Sequence, residues 1–188
     1  MERAVNACIK LSQAIGSGGT QALRSAAQEL RRCGTTDFSR LTLVSGQEIS
    51  LDGHYIFDEV FADSLVTGRK VTAFSRKYAR KRADRGVSPR PGQVLLSTKA
   101  VEAGSKVIYN TTARGVAEFA VVAEPGGLIT MRILSPTGKA LYSETKSVKK
   151  GAAVRKASVS LPSTKSTTVS IEITNHSAKA TSFAILSL

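Results

Sequence analysis

The stretch "TVSIEIT", Thr168–Thr174, decides the fold. Val169, Ile171 and Ile173 alternate with Ser170, Glu172 and Thr174. A period of two places three β-branched residues on one side of an extended chain and polar ones on the other. The same alternation recurs upstream, where Ile129, Met131 and Ile133 flank Thr130 and Arg132, and where Ala157, Val159 and Leu161 flank Ser158 and Ser160. Turn sequences separate such runs: "EPGG" at 124–127 and "SPTG" at 135–138. The second has Pro and Gly where a type I turn accepts them. Seven or eight short strands fit between Gln93 and Leu188. Strands that each hide one face predict a two-layered or closed antiparallel β-sandwich.

Toward the N-terminus the period changes. Val5, Cys8, Ile9, Ser12 and Ile15 recur at helical spacing, "GSGGT" interrupts them, and Leu23, Ala26, Ala27, Leu30 and Cys33 form a second stripe that stops at Gly34. This predicts a helical hairpin with Thr20 capping its second helix. Both cysteines face the seam. At ~1.5 Å rise per residue they lie about 10 and 18 Å from the loop, an offset slightly beyond disulfide reach unless the turn shifts. The readings left open are a Cys8–Cys33 disulfide and two small buried thiols.

In the middle, "LTLVSGQEISLDG" suggests a short strand pair with turns at Ser45-Gly46 and Asp52-Gly53, and a helix is expected from Ile56 to a break at Gly68. A further helix is expected from about Arg69 to Ala83. "RGVSPRPGQ", Arg85–Gln93, reads as a linker, because Ser88 and Arg90 each precede a proline. The organisation predicted is α+β: a helical N-terminal region at 1–84, a linker at 85–92 and a jelly-roll-like antiparallel sandwich at 93–188.

Composition bounds the function. The chain of 188 residues has no Trp, 5% aromatics and a net charge of +13. The core must rest on Val, Ile, Leu and Ala. The charge allows attraction to phosphates, anionic lipid or acidic polysaccharide without choosing among them. No apolar run reaches the ~18 residues of a membrane-spanning helix. "MERAVNACIKLSQ" carries Glu2, Arg3 and Lys10 and lacks the apolar core of a signal peptide.

The sandwich half, "AGSKVIYN…GVAEFAVVAEPGGLITMRILSPTGKALYSE…VRKASVSLPSTKSTTVSIEITNHSAKATSFAILSL", resembles the bacterial pre-peptidase C-terminal domain, a jelly-roll-like β-sandwich. With "NACIKLSQAIGSG", "CGTTDF" and "DGHYIFDEVFADSL" ahead of it, the whole chain resembles a group of uncharacterised secreted or periplasmic proteins of gut Gram-negative anaerobes. That resemblance implies export, with the signal peptide absent from this chain, and attaches no activity. Many domains of the sandwich type place acidic residues on the strand before the Pro-x-Gly turn, suited to calcium. Here those outward positions are Thr130 and Arg132, so no metal is expected there.

The densest charge is at Arg69–Arg90, nine Lys or Arg against Asp84 alone. On a helical projection Val71, Phe74, Ser75 and Tyr78 share one face. Arg76, Lys77 and Arg80 take the opposite one, with Lys70 and Lys81 at the flank. Single-strand binders interleave basic and stacking side chains; this segment separates them. The expectation is a solvated face whose Arg69, Lys70, Arg76, Lys77, Arg80 and Lys81 form a candidate anion-binding set for a glycan, a lipid headgroup or a protein. His54, near Asp52, Asp58 and Glu59, offers an acid–base pair, but no nucleophile motif accompanies it and it is read as a turn residue, as is His176. Asn110-Thr111-Thr112 and Asn175-His176-Ser177 match glycosylation sequons. No cofactor and no metal are expected. The function expected is a non-catalytic exported protein of the cell envelope, binding or structural. The alternative is a cytoplasmic nucleic-acid-associated protein using 69–90.

Overall fold

The computed structural model describes residues 1–68, 93–143, 153–161 and 165–188. They form three helices, α1 (Glu2–Ser17), α2 (Thr20–Cys33) and α3 (Glu59–Thr67). Ten strands accompany them: β1 (Thr36–Asp37), β2 (Thr42–Ser45), β3 (Leu95–Val101), β4 (Lys106–Ala113), β5 (Val116–Ala123), β6 (Ile129–Leu134), β7 (Ala140–Ser143), β8 (Val154–Ser160), β9 (Thr167–Asn175) and β10 (Thr181–Ser187). The basic segment expected to be helical at 69–83 and the linker at 85–92 lie outside the described residues.

Strands β3 to β10 wind as a jelly roll. One sheet runs β3-β10-β5-β8 and the other β4-β9-β6-β7, so successive strands alternate between sheets except at the β6–β7 hairpin. The expected α+β class, helices first and an antiparallel sandwich after, is the one observed. The N-terminal region is not helical throughout, however. β1 pairs in parallel with β3, and β2 pairs antiparallel with β4, so the segment before residue 84 lends an edge strand to each sheet. The strand read at the start of "LTLVSGQEISLDG" is present as β2, but the expected second strand of a local pair is not: β2 takes β4 as its partner, while the two-residue β1 is too short to print a period in sequence.

The alternation read from the sequence defines the inter-sheet core. Val107 and Tyr109 of β4, Phe119 and Val121 of β5, Ile129, Met131 and Ile133 of β6, Val169, Ile171 and Ile173 of β9, and Phe183 and Ile185 of β10 are all buried there. A second core lies on the far side of the β3-β10-β5-β8 sheet. Ala120, Val122, Ala184, Leu186 and Leu96 point outward from that sheet and meet the helices. The molecule therefore has three layers: helices, sheet, sheet. This explains why "TSFAILS" of β10 shows no alternation: every residue of it is buried, on one face or the other.

The α1 seam differs from the expected stripe. Its buried residues are Ala4, Val5, Ala7, Cys8, Leu11 and Ala14, while Ile9, Ser12 and Ile15 are only partly covered. α1 packs on β5, and the alanines of α1 and α2 share one core with Ala120 and Ala184 of the sheet; small side chains there permit close approach. The Ser12 hydroxyl donates to the Ala123 carbonyl at 3.0 Å, fixing α1 over the end of β5. Gly19, not Thr20, is the N-cap of α2, with Thr20 its first helical residue, and Gly34 ends it in the left-handed region as expected. α3 starts at Glu59 rather than Ile56 because the Asp58 carboxylate accepts from the Phe61 N–H and caps it. Ile56 and Phe57 are buried from an extended approach instead.

Cys8 is fully buried in the α1–α2 seam and Cys33 lies partly exposed against the same cluster, both as free thiols. Burial pushes the Cys8 thiol well above its ordinary range, with the neighbouring Cys33 adding to it. Burial also raises Cys33, opposed by Arg3 and reinforced by Glu29. A raised folded pKa keeps a thiol neutral and slow to react at neutral pH. Titration of native protein with a thiol reagent is expected to modify Cys33 slowly, faster as pH rises, and Cys8 only after denaturation. Two rapid equivalents in native protein would mean that the seam is open. No thiol in denatured protein made in an oxidising compartment would mean that the pair is bonded.

Candidate functional site

Three polar constellations stand out, and the sequence pointed directly to none of them. The first is centred on Glu124 in the β5–β6 turn. Its carboxylate is 3% exposed. It accepts a hydrogen bond from the Ser182 hydroxyl at 2.7 Å and lies 3.5 Å from Lys179 Nζ and 3.7 Å from His54 Nδ1. Sequence proximity had offered Asp52, Asp58 and Glu59 as partners of His54. The structure corrects this: Asp52 accepts from the Ser50 hydroxyl, Asp58 caps α3, and the imidazole faces a carboxylate 70 positions away in the chain. The His54 N–H to Leu51 carbonyl hydrogen bond confirms the turn. Ser182 is buried and donates to the carboxylate rather than to the imidazole, so the group lacks the nucleophile–base order of acyl-transfer sites. A carboxylate removed from water must be compensated. Here the compensation ties three segments together: the loop carrying His54, the β5–β6 turn and the β9–β10 turn.

The second constellation joins β3 and β4 through the loop that carries Glu48. Lys99 of β3 pairs with Glu48 at 3.0 Å and its Nζ lies 5.6 Å from the centre of the Tyr109 ring. Tyr109 is fully buried. Burial, and then the charge of Glu48 and the hydroxyl's interaction with its carboxylate, push the phenol above the usual range. The loop that brings Glu48 there needs Gly46. That residue has φ +85°, and a Cβ on it would lie 2.2 Å from the Lys106 carbonyl oxygen.

The third is the outer face of the β2-β4-β9-β6-β7 sheet. The helical core takes no residue from this sheet, so among the described residues its outer face is uncovered. Cross-strand register orders it into rows. Ile108, Glu172 and Arg132 lie side by side across β4, β9 and β6. The row above holds Asn110, Ser170 and Leu134, and the row below Lys106, Thr174 and Thr130. Glu172 sits low between two cations. Arg132 Nη1 donates to its Oε1 at 3.0 Å, and Lys106 Nζ lies 3.3 Å from its Oε2. The Glu172 side chain is 9% exposed, against 46% for Arg132 and 53% for Lys106. The charge that this face shows to solvent is therefore cationic. Around it, the Ser170 hydroxyl donates to Asn110 Oδ1, and Thr130 Oγ1 is 2.9 Å from His176 Nε2. Both aromatic rings of this sheet, Tyr109 and Tyr142, pack inward.

The positions named for calcium, Thr130 and Arg132, do face outward and are engaged by His176 and Glu172. Of the two sequons, Asn175-His176-Ser177 has its Asn fully buried with both amide groups committed, which leaves no room for a glycan. Arg69, Lys70, Arg76, Lys77, Arg80 and Lys81, with Phe74 and Tyr78, lie outside the described residues. By sequence, ten of the thirteen excess positive charges fall in 69–92 and 144–152. The described residues are thus close to neutral, and cations such as Lys106 and Arg132 are local features. No helix among the described residues is long and apolar enough to cross a membrane.

No family model matches the chain, and no curated protein matches it in sequence. Among solved structures, the Yersinia pseudotuberculosis-derived mitogen aligns with 50% of this chain and 84% of its own at 10% identity and a TM-score of 0.40. TmCBM61 in complex with β-1,4-galactotriose aligns over 54% of this chain and 85% of its own, at 9% identity and a TM-score of 0.27. The enzymatically active domain of bacteriophage CBA120 tailspike protein 4 aligns over 50% of this chain and 17% of its own, at 11% identity and a TM-score of 0.29. At such scores these likenesses say nothing of what this chain binds.

Proposed function

We propose that the chain is a non-catalytic, exported binding protein of the cell envelope, and that its ligand is an anionic glycan or a protein partner. One observation carries the reading. Helices bury one outer face of the jelly roll, while among the described residues the other face is left uncovered, rowed with hydroxyls, the Asn110 amide, Ile108 and Leu134 around one ion triad. A surface of regularly spaced side chains on rigid strands suits recognition of an extended polar partner. Catalysis is disfavoured by the same geometry, since His54 faces a carboxylate whose serine neighbour is buried. Export and the envelope location rest on the resemblance in "NACIKLSQAIGSG" and "DGHYIFDEVFADSL".

The test is binding of the purified chain to immobilised acidic glycans, neutral glycans, duplex DNA and single-stranded DNA, each titrated with salt. Saturable binding to an acidic glycan that survives physiological salt is expected. Affinity for DNA that exceeds it, falls steeply with salt and is abolished by Arg76→Glu with Arg80→Glu would instead support the nucleic-acid-associated alternative. Turnover of any glycan that His54→Ala abolished would overturn the non-catalytic reading.

A further inference from the structure

We infer that the outer face of the β2-β4-β9-β6-β7 sheet is the ligand site, and that Lys106 and Arg132, held apart by Glu172, clamp the carboxylates of a polyuronic acid. This rests on the reading above and names its site and ligand class. Glu172 uses a different oxygen for each cation. The two cations are thereby set on opposite sides of one nearly buried carboxylate, and each keeps donors to spare: a guanidinium has five N–H groups and an ammonium three. The triad carries a net positive charge, and its negative member lies beneath, screened from a ligand by the two cations above it. Holding long side chains in place before binding removes part of the ordering entropy that binding would otherwise cost.

The chemistry of the ligand follows from what surrounds the clamp. Planar bidentate pairing favours a carboxylate opposite Arg132. Thr130, Thr174, Ser170 and Asn110 offer neutral donors and acceptors on both sides, matched to hydroxyl groups. Among the described residues no aromatic ring stands on the face, so they offer no stacking platform for sugar rings or bases. That excludes the usual platform for single-stranded nucleic acid. A lipid surface would ask for protruding apolar anchors around the charge; Ile108 beside Glu172 and Leu134 beside Ser170 are half-buried, and the exposed Leu43 and Val44 lie on the edge strand beside a bulge. An acidic polysaccharide whose units bear carboxylates is the occupant that fits.

The experiment measures affinity of the full chain for a galacturonate oligomer and for the same oligomer with its carboxylates methyl-esterified, on four proteins. These are the wild type, Arg132→Lys, Lys106→Ala with Arg132→Ala, and Arg76→Glu with Arg80→Glu. Arg132→Lys retains a cation for Glu172, so its fold is preserved and the loss of the fork is isolated. The expected result is binding of the acid form, loss of about tenfold or more on esterification and in the double alanine variant, and a several-fold loss in Arg132→Lys. The Arg76→Glu, Arg80→Glu protein should keep the discrimination between acid and ester. Wild-type binding unchanged by the Lys106 and Arg132 variants would overturn this site while leaving the binding function standing. Binding to another glycan or a protein but not to the galacturonate oligomer would overturn the ligand class alone. Binding to nothing among these would remove both.

Discussion

Replacing Asn175 with Ala is expected to lower the unfolding free energy by about 3–5 kcal/mol, one of the largest losses for a polar residue in this chain. The Asn175 amide nitrogen donates to the carbonyls of Val101, Glu102 and Lys179 at 3.3, 3.1 and 3.0 Å, and its oxygen accepts from the Ser177 N–H at 2.9 Å. It is fully buried. The side chain thus joins the β3–β4 turn to the β9–β10 turn across both sheets. Truncation leaves several buried carbonyls and an N–H unpaired, each at about 1–3 kcal/mol before relaxation. For a chain of this size, thermal unfolding should shift down by roughly 10 °C. Asn175→Asp distinguishes hydrogen bonding from space filling. It conserves shape but points a charge at carbonyl oxygens, so at neutral pH it should be at least as damaging as Ala. An Asp variant with near wild-type stability would show that the network contributes little.

Phe183→Ala and Leu186→Ala test the layer order from one strand. Phe183 projects into the inter-sheet core and Leu186 into the helical one, and both are fully buried. Large-to-small changes at such sites cost about 3–5 kcal/mol for Phe and about 2–5 for Leu. Both variants should therefore be strongly destabilised in denaturant titrations, with unchanged m-values if unfolding stays cooperative. In a two-layered sandwich with free-standing helices, Leu186 would face solvent and its removal would cost well under 1 kcal/mol. A small effect at Leu186 beside a large one at Phe183 would separate the helices from the sandwich.

Much of this architecture was legible wherever one face of an element meets water. β6, β8 and β9 announced themselves by alternation, and α2 by Leu23, Ala26, Ala27 and Leu30. The signal failed where both faces are buried. β10 reads as plain apolar sequence, and nothing in "TSFAILS" says that Ala184 and Leu186 meet helices while Phe183 and Ile185 meet a sheet. It also failed in α1, whose seam is built on alanine, a residue that contrasts little with its surroundings but permits close approach. Of the candidate site, only the shared outward direction of Thr130 and Arg132, and of Ser170, Glu172 and Thr174, was readable. Lys106, Arg132 and Glu172 come from three strands, and His54 meets Glu124 through turns; such meetings follow from register and winding, which leave no local pattern. Glu172 offered a hint as the lone acid on the polar side of "TVSIEIT", where a charge beside threonines asks for a cross-strand partner.

The most direct test of the account is a map of amide chemical shifts in the full chain as the galacturonate oligomer is added. The account predicts that the largest changes fall on Lys106 and Ile108 of β4, Thr130 and Arg132 of β6, and Glu172 and Thr174 of β9, with the helical layer unmoved. Changes confined to 69–92, or spread over α1 and α2 while the open sheet face stays silent, would contradict it.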